Sequence, residues 1–377
     1  MKSNYLLDDL LQRVGEKLQI SKTQRELAEE RYHAVSTWLS KDGDLFDGVE
    51  INIYPQGSLS IGTTVKPLSR QEYDLDLVCE INESYAGKDP IILLNKIERR
   101  LKDNEIYKDK VERKNRCIRL NYANEFYMDI LPAHPTNSIT DTCVMVPDRK
   151  AEEWKDSNPK GFTSWFNNCS NQVGKTLFEA RAEIEPLPED ETVERKVPLK
   201  RAVQLIKRYR DIYFEKDADL APISIVLTTL AGHGYEGQLS VNETISHILK
   251  HISLLISQSD KRIVVLNPSN NKEDLSERWD NNPELYLEFE KFVMDFKLNW
   301  EQLNEIQGLN EIANKLKKMF GENITNQVLK EQAIHLEKSR SNKNLAVIGS
   351  GLLVAATTEK AVAMERNTFY GKETDTI

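Results

Sequence analysis

The stretch YPQGSLSIGTTVKPLSRQEYDLDLVCEI, Tyr54–Ile81, joins a Gly-Ser turn to a segment carrying two aspartates. YDLDLVCEI alternates, with Tyr73, Leu75, Leu77 and Cys79 on one face and Asp74, Asp76 and Val78 on the other. That period of two marks a strand with one face on a core. Asp74 and Asp76 then leave the same face, about 7 Å apart at their Cα atoms. Carboxylates so spaced can converge on a hard cation such as Mg²⁺, which takes oxygen ligands and keeps coordination for phosphate. Taken alone, an Asp-x-Asp strand is more often a polar face than a metal site. The turn ahead shifts the balance. Gly57 lets the backbone come close to a phosphate, Ser58 offers a hydroxyl, and a following helix N-terminus favours anions.

Farther along, FYMDILPA reads as a strand stopped by Pro132, with Phe126, Met128 and Ile130 on one face and Asp129 on the other. Set beside the first strand, Asp129 would complete a three-aspartate platform for two metal ions. Two such ions serve in-line phosphoryl or nucleotidyl transfer.

The surrounding chain supplies two kinds of architecture. Residues 4–18 place Leu7, Leu10, Leu11, Val14 and Leu18 at helical spacing. SKTQ then announces a second helix, with Ser21 as N-cap and Gln24 closing a capping box. GVEINIYP and NRCIRLNY read as strands, and IILLNKIERRLKD as a helix. From about residue 196 strands nearly vanish, and PLKRAVQLIKRYRDIYF, APISIVLTTLAGH, VNETISHILKHISLLIS and NPELYLEFEKFVMDFKLNWEQLNEI all read helical. EIEPLPEDETVERKVP, Glu183–Pro198, is the linker candidate. The reading is an α+β protein: an N-terminal part over 1–195, a helical lobe over 196–340, a flexible tail over 341–377, and a cleft between the lobes.

Composition narrows the partners. Of 377 residues, 51 are basic and 60 acidic, a net charge of −9. That argues against a protein whose main task is gripping duplex nucleic acid by its phosphates. Cys79, Cys117, Cys143 and Cys169 form no C-x-x-C, so free thiols in a reducing compartment are expected. The N-terminal apolar pattern is interrupted by acids, unlike a signal peptide. LAVIGSGLLVAA, Leu345–Ala356, is too short to span a membrane. A cytoplasmic protein is expected.

The combination QGSLSIGT, KP, EYDLDLV and MDILPA resembles the polymerase-β-type nucleotidyltransferase superfamily. The fuller pattern is similar to its cyclic GMP-AMP synthase-like branch, the bacterial CD-NTases that make signalling cyclic oligonucleotides. It continues through VPDRKAEEWKDSNPKGFTSWF, RAVQLIKRYRD, PISIVLTTLA and VLNPSNNKEDLSERW, spanning roughly residues 50–300. The resemblance implies that Asp74, Asp76 and Asp129 bind two Mg²⁺ ions, with Mn²⁺ able to substitute. It also implies that Asp129 partners the attacking hydroxyl. Gln56, Gly57 and Ser58 match the turn that holds the donor triphosphate, while Lys207 and Ser224 match a lysine and a serine that reach the phosphates. The residues alone leave Lys207 open: it sits at the margin of the stripe Leu199, Ala202, Val203, Ile206 and Tyr213, facing either solvent or a cleft. Asp274, in the segment resembling the base pocket, is the candidate for a nucleobase edge, with a capping or turn role for it and Asn267 equally open. SNPKGFTSWF either lines the cleft or, at Trp165 and Phe166, fills a core.

Other motifs carry less. VGKTL, Val173–Leu177, has Cys169 where a P-loop needs its first glycine. His247 and His251 lack the glutamate of a metalloprotease pair, and His134 beside two prolines reads as structural. No Cys/His cluster matches the zinc insertion of the animal relative, so no nucleic-acid activator is expected. The resemblance thus implies joining of NTPs into a cyclic di- or trinucleotide with release of pyrophosphate, in antiphage signalling through a separate effector. RNTFYG near the end is similar to tails engaged by an accessory protein, although GKETDTI follows in place of a terminal glycine. An RNA-tailing or antibiotic-modifying transferase, and a catalytically idle nucleotide-binding module, are the competing readings.

Overall fold

The computed structural model describes residues 5–41, 46, 48–68, 73–123, 125–136, 142–181, 196–341, 345–347, 353–355 and 362–363. Most of the linker candidate and the RNTFYG and GKETDTI segments lie outside the described residues. In chain order the first elements are α1 (Tyr5–Lys17), α2 (Lys22–Ser40), β1 (Ile51–Pro55), α3 (Gly57–Ser60), β2 (Tyr73–Ile81) and α4 (Pro90–Lys102). Then come β3 (Val111–Arg113), β4 (Ile118–Tyr122), β5 (Phe126–Pro135), β6 (Val144–Asp148), β7 (Glu153–Ser157) and α5 (Pro159–Arg181). The helical part comprises α6 (Pro198–Tyr213), α7 (Ser224–His233), α8 (Val241–Gln258), the hairpin β8 (Leu266–Asn267) and β9 (Asn270–Asp274), α9 (Arg278–Asn281), α10 (Pro283–Glu305), α11 (Leu309–Phe320) and α12 (Glu322–Ser341).

Local chemistry explains several boundaries. At α2 the capping box forms as read: Gln24 N donates to Ser21 Oγ at 3.2 Å, and Ser21 N to Gln24 Oε1 at 2.9 Å. Asp89 caps α4 ahead of Pro90, whose missing N–H costs nothing at a first helical position.

The central sheet runs β1-β2-β5-β4-β3, with β6 joined to β5 and β7 to β6. The β2–β5 pair is parallel and sets Asp76 directly opposite Asp129 and Asp74 opposite Tyr127. The apolar face of β2 is sealed by α2 and α4: Tyr73, Leu75, Leu77 and Cys79 pack with Val35, Leu39, Leu93 and Ile97. Val78 shares the face of Asp74 and Asp76, as read, and is buried. It is covered by Ala133, Val144 and Val146, so the polar surface of β2 is open around Asp74 and Asp76 and closed beyond them.

The expected boundary at residue 195 does not follow the packing. Leu7, Leu10, Leu11 and Val14 of α1 belong to the same buried cluster as Leu199, Leu205, Ile245 and Phe292 of the helical part, together with Phe162 and Phe166 of α5. The amphipathic stripe of α1 was legible, but which core it joins is a tertiary matter. Phe166 is a core aromatic, as one of its readings held. His134 is buried against Trp154, its Nδ1 within 2.9 Å of the Pro135 carbonyl. Among the described residues no helix is long and apolar enough to cross a membrane.

Candidate active site

A cavity of about 480 Å³ lies between the polar face of the sheet and helices α5, α6 and α7. Its lining includes Gln56, Gly57, Ser58, Asp74, Asp76, Lys207 and Ser224. Residues drawn from positions 56 to 224 thus meet around one volume.

The turn and strand are built as one unit. Gln56 N donates to the Asp76 carbonyl at 2.8 Å, pulling the Gly-Ser turn across the strand. Gly57 has φ +62°, and a Cβ there would stand 2.4 Å from Asp76 Oδ2. No other residue meets both demands. Ser58 is tied to the following loop by Thr63 N donating to its carbonyl at 2.9 Å, and its Oγ lies 3.4 Å from Thr64 Oγ1.

The carboxylates crowd one another. Burial raises the pKa of Asp76 to about 7, helped by the charges of Asp74 and Asp129. Burial likewise raises Asp74, against the pull of Arg119. Asp129 is engaged differently from the expectation of an open platform. Arg119 holds it with two hydrogen bonds, Nε to Oδ1 at 2.6 Å and Nη2 to Oδ2 at 2.7 Å, and reaches Asp74 Oδ1 at 3.3 Å. The guanidinium also lies 4.5 Å from the ring centre of Tyr127. Asp129 does not line the cavity, and among the described residues no group of three or more His, Cys, Asp or Glu side chains is placed to hold an ion. The donor set nonetheless fits a divalent cation: Asp74 and Asp76 are hard oxygen donors on the cavity wall, and their mutual repulsion favours positive charge between them.

Lys207 faces the cavity rather than solvent. It is only 5% exposed, and its Nζ donates to Thr63 Oγ1 at 3.0 Å and the Thr63 carbonyl at 3.3 Å. Burial lowers its pKa to about 7, with Arg210 adding repulsion and Asp76 opposing both. Ser224, the first residue of α7, accepts from Arg210 Nη1 at 2.6 Å.

Asp274 is held by its own turn and by Arg262. It lies outside the cavity lining, its Oδ1 accepting from Ser276 N at 2.7 Å and its Oδ2 from Arg262 at 3.0 Å. This is the turn role that its sequence left open. The strand alternation of β9 turns the neighbouring carboxylate inward instead. Glu273 lines the cavity with Asn267, Ser157 and Arg116. It accepts from Asn267 Nδ2 at 2.6 Å and from Ser157 Oγ at 3.1 Å, and burial raises its pKa. Pro159, Phe162 and Thr163 of the SNPKGFTSWF segment line the wall too.

Sequence reading missed Arg116, Arg119, Arg210, Asp211 and Glu273. Two of these carried a signal. Arg210 and Asp211 stand three and four residues after Lys207, hence on its helix face. Arg119 and Glu273 depend on strand pairings that no local pattern reveals.

A sheet bearing paired carboxylates next to a Gly-Ser turn, closed by a helix presenting lysine, defines a nucleotidyltransferase of the polymerase-β-like type. The model of the Second Messenger Oligonucleotide or Dinucleotide Synthetase (SMODS) domain matches residues 1–170. The c-di-GMP synthase of Roseivirga ehrenbergii is 38% identical over 369 residues, covering 97% of each chain. The cyclic dinucleotide synthase CdnG of Bradyrhizobium diazoefficiens is 25% identical over 400 residues, covering 97% of this chain and 95% of that one. The solved structure of that CD-NTase in complex with GTP superposes with a TM-score of 0.71 at 23% identity, over 87% of this chain and 99% of the other. The chain belongs to the CD-NTase family of cyclic oligonucleotide synthases and is a nucleotidyltransferase that makes cyclic oligonucleotides.

Proposed function

We propose that the chain joins two GTP molecules into cyclic di-GMP in this cavity. A ribose hydroxyl of one nucleotide attacks the α-phosphate of the other and pyrophosphate leaves; a second such step closes the ring. The observation that carries this reading is the shared cavity of the Gly57–Ser58 turn, Asp74, Asp76 and Lys207. The name of the 38% identical relative supports the product.

In this reading the Gly57–Ser58 turn and Ser224 bind the triphosphate, and Lys207 neutralises part of its charge. Asp74 and Asp76 would hold divalent cations, Mg²⁺ or Mn²⁺, with Asp129 joining once Arg119 releases it. Such ions supply charge neutralisation at the triphosphate and a more acidic attacking hydroxyl. The protein's own share is orientation in a site partly closed to water.

Glu273 supports the choice of guanine. An ionised carboxylate accepts only, and guanine alone among the four common bases presents two adjacent donors, N1–H and the N2 amine, on its Watson–Crick edge. Asn267 and Ser157 fix the Glu273 oxygens for that contact. The cyclic product then acts on a separate effector protein, in the antiphage signalling that the family resemblance suggests. Engagement of the C-terminal tail by an accessory protein belongs to the same proposal.

The test is incubation of the purified chain with GTP alone, ATP alone and all four NTPs, each with Mg²⁺ or Mn²⁺, followed by mass spectrometry and nuclease mapping of linkages. Cyclic di-GMP from GTP alone is expected. A wild type without cyclic product, or an Asp74→Ala, Asp76→Ala double variant with equal product, overturns the reading.

A further inference from the structure

The loop after the Gly-Ser turn is held from an unexpected direction. Four of its carbonyls accept from side chains on α6 or just before it. Lys196 Nζ donates to Gly62 O at 2.7 Å and Gln204 Nε2 to Thr64 O at 2.8 Å. Lys207 reaches Thr63, and Arg208 Nη2 donates to Lys66 O at 2.6 Å. Gln204, Lys207 and Arg208 have the spacing that places side chains on one helix face.

Gln204 does not line the cavity, unlike Lys207. It is fully buried, as is Arg201 one turn earlier. Arg201 Nη1 donates to Gln204 Oε1 at 2.9 Å, and Arg201 Nε to Gln12 Oε1 of α1 at 3.3 Å. Arg201 passes so close to α1 that a Cβ on Gly15 would stand 1.9 Å from its Cδ. A guanidinium can only donate, and the Thr64 carbonyl can only accept. A side chain between them must both accept and donate, and the primary amide of Gln204 does so. Thr64 follows Thr63, whose N–H holds the Ser58 carbonyl, and its own Oγ1 faces Ser58 Oγ.

We infer that Gln204, oriented by Arg201, which is itself bonded to Gln12 of α1, is a positioning residue for Ser58, acting through the backbone of Thr63–Thr64. This rests on the reading that the Ser58 turn holds the nucleotide's phosphates. Gln204 never meets substrate. It sets where the Ser58 hydroxyl and backbone stand, and so tunes nucleotide affinity more than turnover. Interactions made equally in the bound and transition states move KM and leave kcat.

The deciding variant is Gln204→Glu in the full chain. It keeps an acceptor, now charged, for Arg201 and removes the donor to Thr64. Its thermal midpoint should stay near wild type. KM for GTP, and the Kd of a non-hydrolysable GTP analogue by calorimetry, should rise about tenfold, the worth of one net hydrogen bond, with kcat changed less than about threefold. Gln204→Met, of similar length, removes both partners. It should lower the midpoint and, assayed well below that midpoint, raise KM to a similar degree. An unchanged KM in either folded variant, or a loss confined to kcat, overturns the inference. Ser58→Ala separates the two levels. If it leaves analogue binding untouched, the reading of the turn fails. If it weakens binding while Gln204→Glu does not, only the role of Gln204 fails.

Discussion

Two polar groups of residues line the same cavity and are made in opposite ways. Around Asp74 and Asp76 like charges stand together on one strand face, with Arg119 the cation that reaches Asp74. Around Glu273 each polar group already has its match. Ser157 and Asn267 hold Glu273, while Asp148 and Glu277 hold Arg116. The first group stores electrostatic repulsion that a bound cation would relieve. The second is a rigid template, since a network with every member satisfied has little freedom to adapt. Under the proposed function the reaction draws on the former and base selection on the latter.

The largest effect should come from the group with stored charge. Asp74→Asn with Asp76→Asn should lower the rate of cyclic product formation by about a thousandfold or more, the scale of lost charge stabilisation in a closed site. The same pair should abolish any rise of the thermal midpoint on adding Mg²⁺. A residual Mg²⁺ shift of wild-type size would break the comparison by showing that the cations bind elsewhere.

Next comes Gly57→Ala. The new methyl would meet the Asp76 carboxylate at 2.4 Å on a backbone at φ +62°. Displacing the turn or the carboxylate by about an ångström should cost about a hundredfold in kcat/KM. Circular dichroism should show the fold intact, because the turn itself contributes no residue to the buried helical core.

Smaller and more specific is Glu273→Gln. It keeps shape and the Ser157 contact and removes charge. Use of GTP should fall about tenfold to a hundredfold in kcat/KM, the worth of a charge-assisted hydrogen bond, while use of ATP stays level. Competition assays with mixed nucleotides read the ratio. An equal fall for both nucleotides would make Glu273 a structural residue.

The smallest effect concerns the support of the template. Burial opposes the charge on Asp148, but hydrogen bonds from the Ala151 backbone, Asn115 and Arg116 outweigh it and hold its pKa down to about 2. A depressed carboxylate stabilises the fold above its unfolded pKa, and that stability is lost as pH falls through the folded value. The window is therefore about pH 4 down to about pH 2, and the contribution at stake is about 2 kcal/mol. Urea midpoints should fall across that window in the wild type and less steeply in Asp148→Asn, which should also be weaker at pH 7.

Legibility followed locality. The turn and the Asp-x-Asp strand lie within twenty residues, so alternation and a glycine sufficed to read them together. Asp129 was placed by its own strand pattern, and the parallel pairing of β2 with β5 put it opposite Asp76. Its bidentate hold by Arg119 was not legible, because it depends on which strand lies on the far side of β5. Asp274 was chosen where Glu273 is the residue facing inward. The two are adjacent, and one residue of register on a strand exchanges cavity for exterior.

The sequence by itself placed Asp74 and Asp76 on one strand face behind a glycine turn, because strand period, a glycine turn and a helix stripe are short-range consequences of residue type, and its motifs carried the resemblance to the family. Tertiary structure alone decided that α1 joins the helical core, that Arg119 holds Asp129, that Glu273 faces the cavity, and that Arg201 and the buried amide of Gln204 bridge from Gln12 of α1 to the Thr64 carbonyl. Each of these depends on which distant segments are pressed together once water is excluded. Burial then turns ordinary polar side chains into partners that must be matched donor to acceptor.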